Sequence, residues 1–424
     1  MYKKIQHLFD TNEQKIILMG GIPGSGKSTL SKQLSEAGYV IICPDTFRGI
    51  VSKSIPGREL WSEAQHESDQ STSAEAWKMA YREAKNALKD GKSIVFDAML
   101  HTAKARRGTM GEFKGFKLPF YAIYLDVTLE TAKQRNAERG ANGGRCLPDF
   151  VLKSKWRQQV FPMIEEGFKE VHYISNDLVV DPMADFAIQE TFEDIIDNPK
   201  RAIFELHEAD LLKQVFPSLY ECFGIPQENS HHEFELHNHM ITAAELIEDR
   251  SQVAVISTLL HDVGKRKTKE FFAKVIQEND HFKVGDKLTV LKRMDIGATF
   301  EKVTWNGVRT AFLPYECVEI DSNAHYYDHE KVGAIDARRD LLALGCSEEF
   351  ANEVYGYILH HMEFPYREAS DKHFKNIINK VGPQRMDLLL KIRKADKSSG
   401  SSGNGILEVH EKMAEQIKNL LGKE

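Results

Sequence analysis

The chain has 424 residues, of which 42% are hydrophobic and 28% charged, and its net charge is −7. That length exceeds one ordinary core and points to two domains, and the composition excludes a disordered or fibrous chain. Residues 1–195 balance to zero charge and the remainder carries the whole excess, which excludes broad non-specific adhesion to nucleic acid and leaves only local contacts.

No apolar run reaches bilayer-spanning length, and Met1-Tyr2-Lys3-Lys4-Ile5-Gln6 lacks the apolar core of a signal peptide. The five cysteines (Cys43, Cys146, Cys222, Cys317 and Cys346) are scattered and form no C-x-x-C pair. The expectation is reduced thiols, a cytoplasmic location and no membrane partner.

In chain order, Lys15-Ile16-Ile17-Leu18-Met19 reads as a buried strand and Ser28 to Leu34 as a helix. Between them, Gly21-Ile22-Pro23-Gly24-Ser25-Gly26-Lys27-Ser28 fits the P-loop pattern G-x-x-x-x-G-K-[ST]. Gly21, Gly24 and Gly26 let backbone N–H groups turn toward one point, with Ser25, Ser28 and Thr29 at the turn and the helix N-terminus behind them. Lys27 is expected to reach the β- and γ-phosphates and Ser28 to hold Mg²⁺, so the expected cofactor is ATP or another NTP with Mg²⁺.

Tyr39 to Cys43, Ser93 to Phe96 and Phe120 to Leu125 read as further strands. Residues 71–88 have helical periodicity, and a helix follows the last strand through Arg139. Strands alternating with helices predict a parallel sheet covered on both faces, in a first domain over residues 1–195.

Ligands of such sheets bind beyond the carboxyl ends of the strands, where Asp45 and Asp97 lie. Asp45 reads equally as a general base or as the N-cap of Thr46-Phe47-Arg48, and Arg48 suits a substrate phosphate. Arg135 and Arg139 share a helix face, and Gly140, Gly143 and Gly144 break the chain after them. That pair reads either as a mobile lid for the transferring phosphoryl group or as a solvated basic face.

Beyond about residue 200, helical periodicity covers 211–223, 240–247, 253–260, 332–344, 350–359 and 386–394. Residues 300–312 alternate around Trp305-Asn306-Gly307-Val308, a hairpin signal. These predict a mostly helical domain over 200–397 carrying a β-hairpin insertion, a Ser/Gly linker over 398–405 and an amphipathic helix over 406–424.

His261-Asp262 ends the helical run 253–260, His239 precedes another, and Asp396 follows a third. Two histidines and two aspartates make a mixed nitrogen and oxygen set suited to Mn²⁺, Mg²⁺ or Fe rather than closed structural zinc. His329, His360 and His361 could complete a second, neighbouring site, giving one or two ions in all. His237 competes with His239 as the ligand, and His231 and His232 read as surface residues beside the site. Taken alone, each pair also reads as a structural or capping feature.

The segments Asp45-Thr46-Phe47-Arg48, Asp97 to Arg107 and Arg135-Asn136-Ala137-Glu138-Arg139-Gly140 resemble, in order and spacing, the D-x-x-R, D-x-N-x-x-x-x-x-R-R and R-N-x-x-R-G segments of the polynucleotide 5′-kinase family, over roughly residues 15–175. The resemblance implies Asp45 as general base, Arg48 and Asp97 as substrate contacts, and Arg135 and Arg139 as phosphate ligands. Met99 stands where that family usually has Asn. The set His239, His261, Asp262, Asp396 resembles the H…HD…D pattern of the HD phosphohydrolase superfamily, over roughly residues 205–397. That likeness implies metal ligation by these four and a substrate phosphate at Lys265.

A kinase and a phosphohydrolase acting on one end would waste ATP, whereas acting on opposite ends they are complementary. The pairing resembles fused RNA end-healing proteins, which implies RNA (or DNA) ends as substrates and a separate RNA ligase as partner. Two alternatives stand beside it: a nucleoside or sugar kinase fused to an HD nucleotide phosphohydrolase, and a regulatory protein in which nucleotide binding gates a degenerate HD module. The oligomeric state is not legible.

Overall fold

The computed structural model describes residues 3–10, 12–180, 185–228, 235–304, 307–365, 367–400 and 404–422. His231 and His232, and the hairpin tip at Trp305 and Asn306, lie outside the described residues. The chain forms two compact units, Met1–Leu178 and Val179–Glu424.

The first unit is built on five strands, β1 (Ile16–Gly20), β2 (Val40–Ile42), β3 (Ile94–Asp97), β4 (Phe120–Asp126) and β5 (Glu170–Ser175). They form one parallel sheet in the order β2-β3-β1-β4-β5. Every residue of β1 and β3 is buried, as expected for a strand covered on both faces, which is why these segments read as continuous apolar runs rather than as alternation. Leu18, Phe96, Phe113 and Ala84 fill one face; Ile17, Met19, Val95, Leu30 and Leu34 fill the other. Glu170 to Ser175 is a fifth strand that the sequence reading does not include, because its polar residues mask an edge strand paired only with β4.

The turn after β3 supports the P-loop. Met99 accepts a hydrogen bond from the Gly21 N–H at 3.0 Å through its backbone carbonyl, so a main-chain group makes this contact whatever the side chain. Leu100 then takes a positive φ of 39°. Arg106, fully buried, holds this turn: it donates to Leu100 O at 2.9 Å, to Val160 O at 2.7 Å and in a fork to Glu166 at 2.6 and 2.8 Å.

In the second unit, helices Leu236–Leu246, Gln252–Leu260, His329–Ala343, Glu348–His360 and Met386–Ser398 pack together. Helix Gln252–Leu260 is buried at every residue from Ala254 to Leu260, so it is the central helix and its end lies deep. Pro217 splits the predicted helix over 211–223 into Leu212–Val215 and Pro217–Tyr220.

Three expectations need correction. The insertion is larger than a hairpin: β6 (Phe272–Val275), β7 (Lys287–Met294), β8 (Gly297–Thr304), β9 (Gly307–Pro314) and β10 (Val318–Ile320) form an antiparallel sheet in the order β10-β6-β7-β8-β9. It has its own core of Val275, Phe282, Leu288, Phe300 and Leu313. Its entry and exit are tied by reciprocal bonds between Glu270 and His325, at 2.9 and 2.8 Å. Secondly, the unit boundary falls before helix Asp185–Asp197, because Phe192 stacks on Phe216 and lies against Phe350 in the second unit. Thirdly, the predicted linker starts late: Ser398 closes a helix and Ser399 is buried, while helix Asn404–Leu421 sends Gln416 to Ala369 O. Residues 401–403 lie outside the described residues.

Removing Arg106 would leave the Glu166 carboxylate buried and unpaired. Arg106→Ala should lower the stability of the first unit by roughly 3–5 kcal/mol, measured by urea unfolding, whereas exposed Arg107→Ala should change it by no more than about 0.5 kcal/mol.

Candidate functional site

In the first unit, the segment after β1 closes a tight loop. Gly21, Gly24 and Gly26 have φ of 139°, 86° and 100°, a region open to glycine and strained for other residues. A Cβ at Gly24 would stand 2.8 Å from the Ala132 carbonyl oxygen, and one at Gly21 2.6 Å from that of Leu125. Helix Lys27–Glu36 follows with Ser28 and Thr29 exposed in its first turn, and a helix N-terminus in this position favours an anion. Ser25 Oγ is buried without a hydrogen-bond partner. Lys27 folds back and donates to Gly21 O at 2.7 Å and Ile22 O at 3.1 Å. These are the features of an anion cradle, and Lys27 is the cation within it. Burial pushes the Lys27 ammonium down, while Asp97 and Asp45 pull the other way.

Asp97 ends β3 and accepts from Ser31 Oγ at 2.5 Å, on the helix that leaves the loop. Burial raises its carboxyl, against Lys27. It thus stands beside Lys27 and helix Lys27–Glu36, while Asp45 is held by Arg48 and Arg145.

Asp45 lies in the first turn of helix Pro44–Lys53 with its side chain half exposed, and it makes no capping bond: Cys43 is the N-cap position. Its carboxylate is clamped instead. Arg48 Nη1 donates to Oδ1, and Arg145 Nη1 donates to Oδ2 at 2.6 Å. Arg48 is itself fixed by donating to Glu67 O at 3.0 Å and Ser73 Oγ at 3.1 Å.

Arg135 reaches the loop and donates to Gly24 O at 3.1 Å, whereas Arg139 turns back to Asn136 Oδ1 at 3.2 Å. Gly140 does not break the chain as expected: helix Leu129–Ala141 runs through it, and glycine there serves close packing, since a Cβ would press on Cys146 at 2.8 Å. Only Gly143, at φ 76°, takes the glycine conformation. Arg145 was missed by sequence reasoning, and its signal is a basic residue directly after Gly143-Gly144.

In the second unit, His239, His261, Asp262, His329, His361 and Asp396 converge from helix Leu236–Leu246, the turn after Gln252–Leu260, and the helices His329–Ala343, Glu348–His360 and Met386–Ser398. All six are buried. Asp262 Oδ2 lies 3.4 Å from His239 Nε2 and 3.3 Å from His261 Nε2. Asp396 Oδ1 lies 3.2 and 3.6 Å from the same two nitrogens. The other oxygen of Asp262, Oδ1, faces His329 Nε2 at 3.2 Å and His361 Nε2 at 3.7 Å.

His360 is not in this set; adjacent helix residues point about 100° apart, and its ring turns toward Glu363 at 3.5 Å. His237, also buried, packs elsewhere, stacking on Phe223 with ring centroids 4.0 Å apart.

The outer ring nitrogens are fixed. His261, His329 and His361 direct Nδ1 to the carbonyls of Thr258, Tyr326 and Ile358, each at 2.7 Å, and Ser399 Oγ lies 2.9 Å from His239 Nδ1. That leaves every Nε2 aimed inward, and the one on His261 is buried without a properly aligned hydrogen bond. Donor atoms roughly 3 Å apart match two ligands of one ion with bonds near 2.1 Å. The donor set therefore fits divalent cations, in two groups that share Asp262.

Burial alone would raise Asp262, yet Lys265 at 2.6 Å and His261 hold it well below the carboxylate range. Asp396 is held down likewise, against burial, by Lys397 at 2.8 Å. Lys265 thus pairs with a carboxylate of the cluster, while the sequence gives no signal for Lys397 and Ser399, because that stretch reads as helix end and linker.

Residues 16–160 match the family model of an AAA domain. Over 170 residues the chain is 26% identical to the bifunctional polynucleotide phosphatase/kinase of Schizosaccharomyces pombe, an alignment covering 40% of this chain and 35% of that protein. The chain thus spans about a third of that curated relative's length. Among solved structures, the Pnkp1/Rnl/Hen1 RNA repair complex aligns at 20% identity and a TM-score of 0.29, over 34% of this chain and 44% of that one. Kti12 of Chaetomium thermophilum, solved with ADP-AlF3, aligns at 18% identity and a TM-score of 0.30, over 38% and 89%. The first unit is a P-loop kinase-like domain with homology to polynucleotide kinase, and such a domain binds nucleotide, usually with Mg²⁺.

Gly24→Ala would combine a strained φ with the clash at Ala132. It should weaken ATP binding roughly ten- to a hundredfold, read by titration with a fluorescent ATP analogue, while the helical content stays unchanged.

Proposed function

We propose that this chain is a bifunctional nucleic-acid end-healing enzyme. Its first unit phosphorylates 5′-OH RNA ends with ATP. Its second unit, read as an HD phosphohydrolase, removes 2′,3′-cyclic or 2′/3′ phosphates. The observation that carries the reading is the presence on one chain of a P-loop with a clamped aspartate and a buried, doubly arranged carboxylate–imidazole cluster.

In the kinase reaction the acceptor oxygen attacks the γ-phosphorus, the bond to the β–γ bridging oxygen breaks, and ADP leaves. Asp45 takes the hydroxyl proton, and Arg48 and Arg145 hold its carboxylate in place for that transfer. Lys27 releases the loop carbonyls to meet the γ-phosphate, and Arg135 and Arg139 carry charge that develops on the transferring group. Arg48 is also assigned to a phosphate of the substrate near its acceptor end.

In the second unit, His239, His261, Asp262 and Asp396 would hold one divalent cation, and His329 and His361 with Asp262 a second. Bound there, the cations lower the pKa of water and neutralise a phosphate ester. Lys265 contacts a phosphate oxygen, and Ser399 and the three carbonyls keep the imidazoles in the ligating tautomer. Water adds to phosphorus and one P–O bond to the ribose breaks, the oxygen leaving as a hydroxyl; from a 2′,3′-cyclic phosphate this gives a 2′- or 3′-monoester, and a second water then breaks the remaining P–O bond and releases inorganic phosphate. The products, a 5′-phosphate and a 3′-OH, suit a separate RNA ligase, and the expected setting is cytoplasmic.

The test uses an RNA with 5′-OH and 2′,3′-cyclic phosphate ends, ATP, and Mn²⁺ or Mg²⁺, with both termini mapped. Asp45→Ala should lower 5′ phosphorylation by about 10²-fold or more and leave 3′-end processing intact; Asp262→Ala should do the reverse. Loss of both reactions in either folded variant would overturn separate sites. Preference for free nucleosides over oligonucleotides would assign a small-molecule kinase instead.

A further inference from the structure

The first unit carries a second cluster of ligating groups that the kinase chemistry does not use. His7, in the helical segment Lys3–Phe9, and His172, on edge strand β5, both direct Nε2 at one oxygen of Glu170, at 2.7 and 3.0 Å. The three ligating atoms lie within 4.8 Å of one another. The two rings stand edge to face, 5.4 Å apart at 60°. The same mutual arrangement recurs in the buried cluster of the second unit, where His239 and His261, and His329 and His361, stand 5.2 Å apart at 65°. Two imidazole nitrogens and a carboxylate oxygen this close together can share one ion with bonds near 2.1 Å. Side-chain exposures of 52% for His7 and 37% for Glu170 leave room for water to complete the coordination.

From this geometry we infer that His7, Glu170 and His172 form a binding site for a borderline-soft divalent cation of the Zn²⁺, Co²⁺ or Ni²⁺ kind. Two imidazoles and one carboxylate, with an open position, suit these ions and disfavour Mg²⁺. The site joins distant parts of the sequence. On one side is the N-terminal segment, whose Ile5 and Leu8 are fully buried and whose Leu8 carbonyl accepts from Tyr39 Oη. On the other is β5, and the residue just after it, Asn176, donates to Ser25 O in the P-loop at 3.0 Å. A bound ion therefore pins the N-terminal segment to the strand that supports the nucleotide loop, and its role is structural. The carboxylate also accepts from both imidazoles without an ion, so the arrangement is preformed.

The test measures Zn²⁺ binding to the full chain by equilibrium dialysis in excess Mg²⁺, with Co²⁺ absorption as a second readout. The variants are His172→Gln and Glu170→Gln; the latter keeps the shape and a hydrogen-bonding oxygen. Each should lose one Zn²⁺ equivalent, or bind it at least about tenfold more weakly, and should lose the tetrahedral Co²⁺ band assigned to this site. The Zn²⁺-dependent rise in the melting temperature of the parent should vanish with it. An unfolded variant is identified by circular dichroism; His7→Gln, on the other element, then decides. Unchanged stoichiometry, affinity and Co²⁺ spectrum in the folded variants would overturn the site. So would Zn²⁺ binding confined to millimolar strength in the parent, since that is adventitious attachment to exposed histidines.

Discussion

Two carboxylates, Asp262 and Asp396, are buried within one helical core, and that constraint governs the second unit. An isolated ionised carboxylate in a protein interior is prohibitively unfavourable unless charges and hydrogen bonds compensate it. The compensation here is local and comes from several elements: Lys265 and Lys397 follow the two aspartates closely in the chain, His261 precedes Asp262 directly, and His239, His329 and His361 close in from other helices. Apolar packing brings those helix ends together, since helix Gln252–Leu260 is buried on all sides and delivers His261 and Asp262 at its terminus. A carbonyl or hydroxyl behind each imidazole then fixes its direction. Packing sets the position, and the outer hydrogen bonds set the aim.

The first unit solves a related problem with less burial. Its charged groups stand at the carboxyl ends of parallel strands, where the sheet stops and helix N-termini begin. Lys27 and Asp97 share the dry side of that edge, while Asp45 sits on the wetter side, held between two arginines. The two carboxylates at this edge thus differ in burial and in the cations that face them.

The sequence made much of this legible, and the reasons are physical. The P-loop is local: three glycines, a lysine and a serine within eight residues specify both backbone and chemistry, so its placement between strand and helix could be read directly. The fully buried strands β1, β3 and β4 announce themselves by apolar composition. The edge strand β5 does not, because His172 and Glu170 interrupt its pattern. The choice between His360 and His361 depends on which way a helix faces its neighbours, which composition does not encode. Arg145 and Ser399 act through contacts across 100 and 160 positions, and Ser399 lies in a stretch whose composition imitates a linker. The sheet in the second unit was underestimated because only its β8–β9 turn carries a local signal.

The reciprocal bonds between Glu270 and His325 have a consequence for how such a protein can diversify. The polypeptide leaves the helical framework just beyond Lys265 and rejoins it just before His329, and the two crossings are adjacent. The sheet between them folds around its own apolar centre. Its entry and exit therefore lie side by side, so the sheet can change in length without displacing the helix ends that carry the buried cluster.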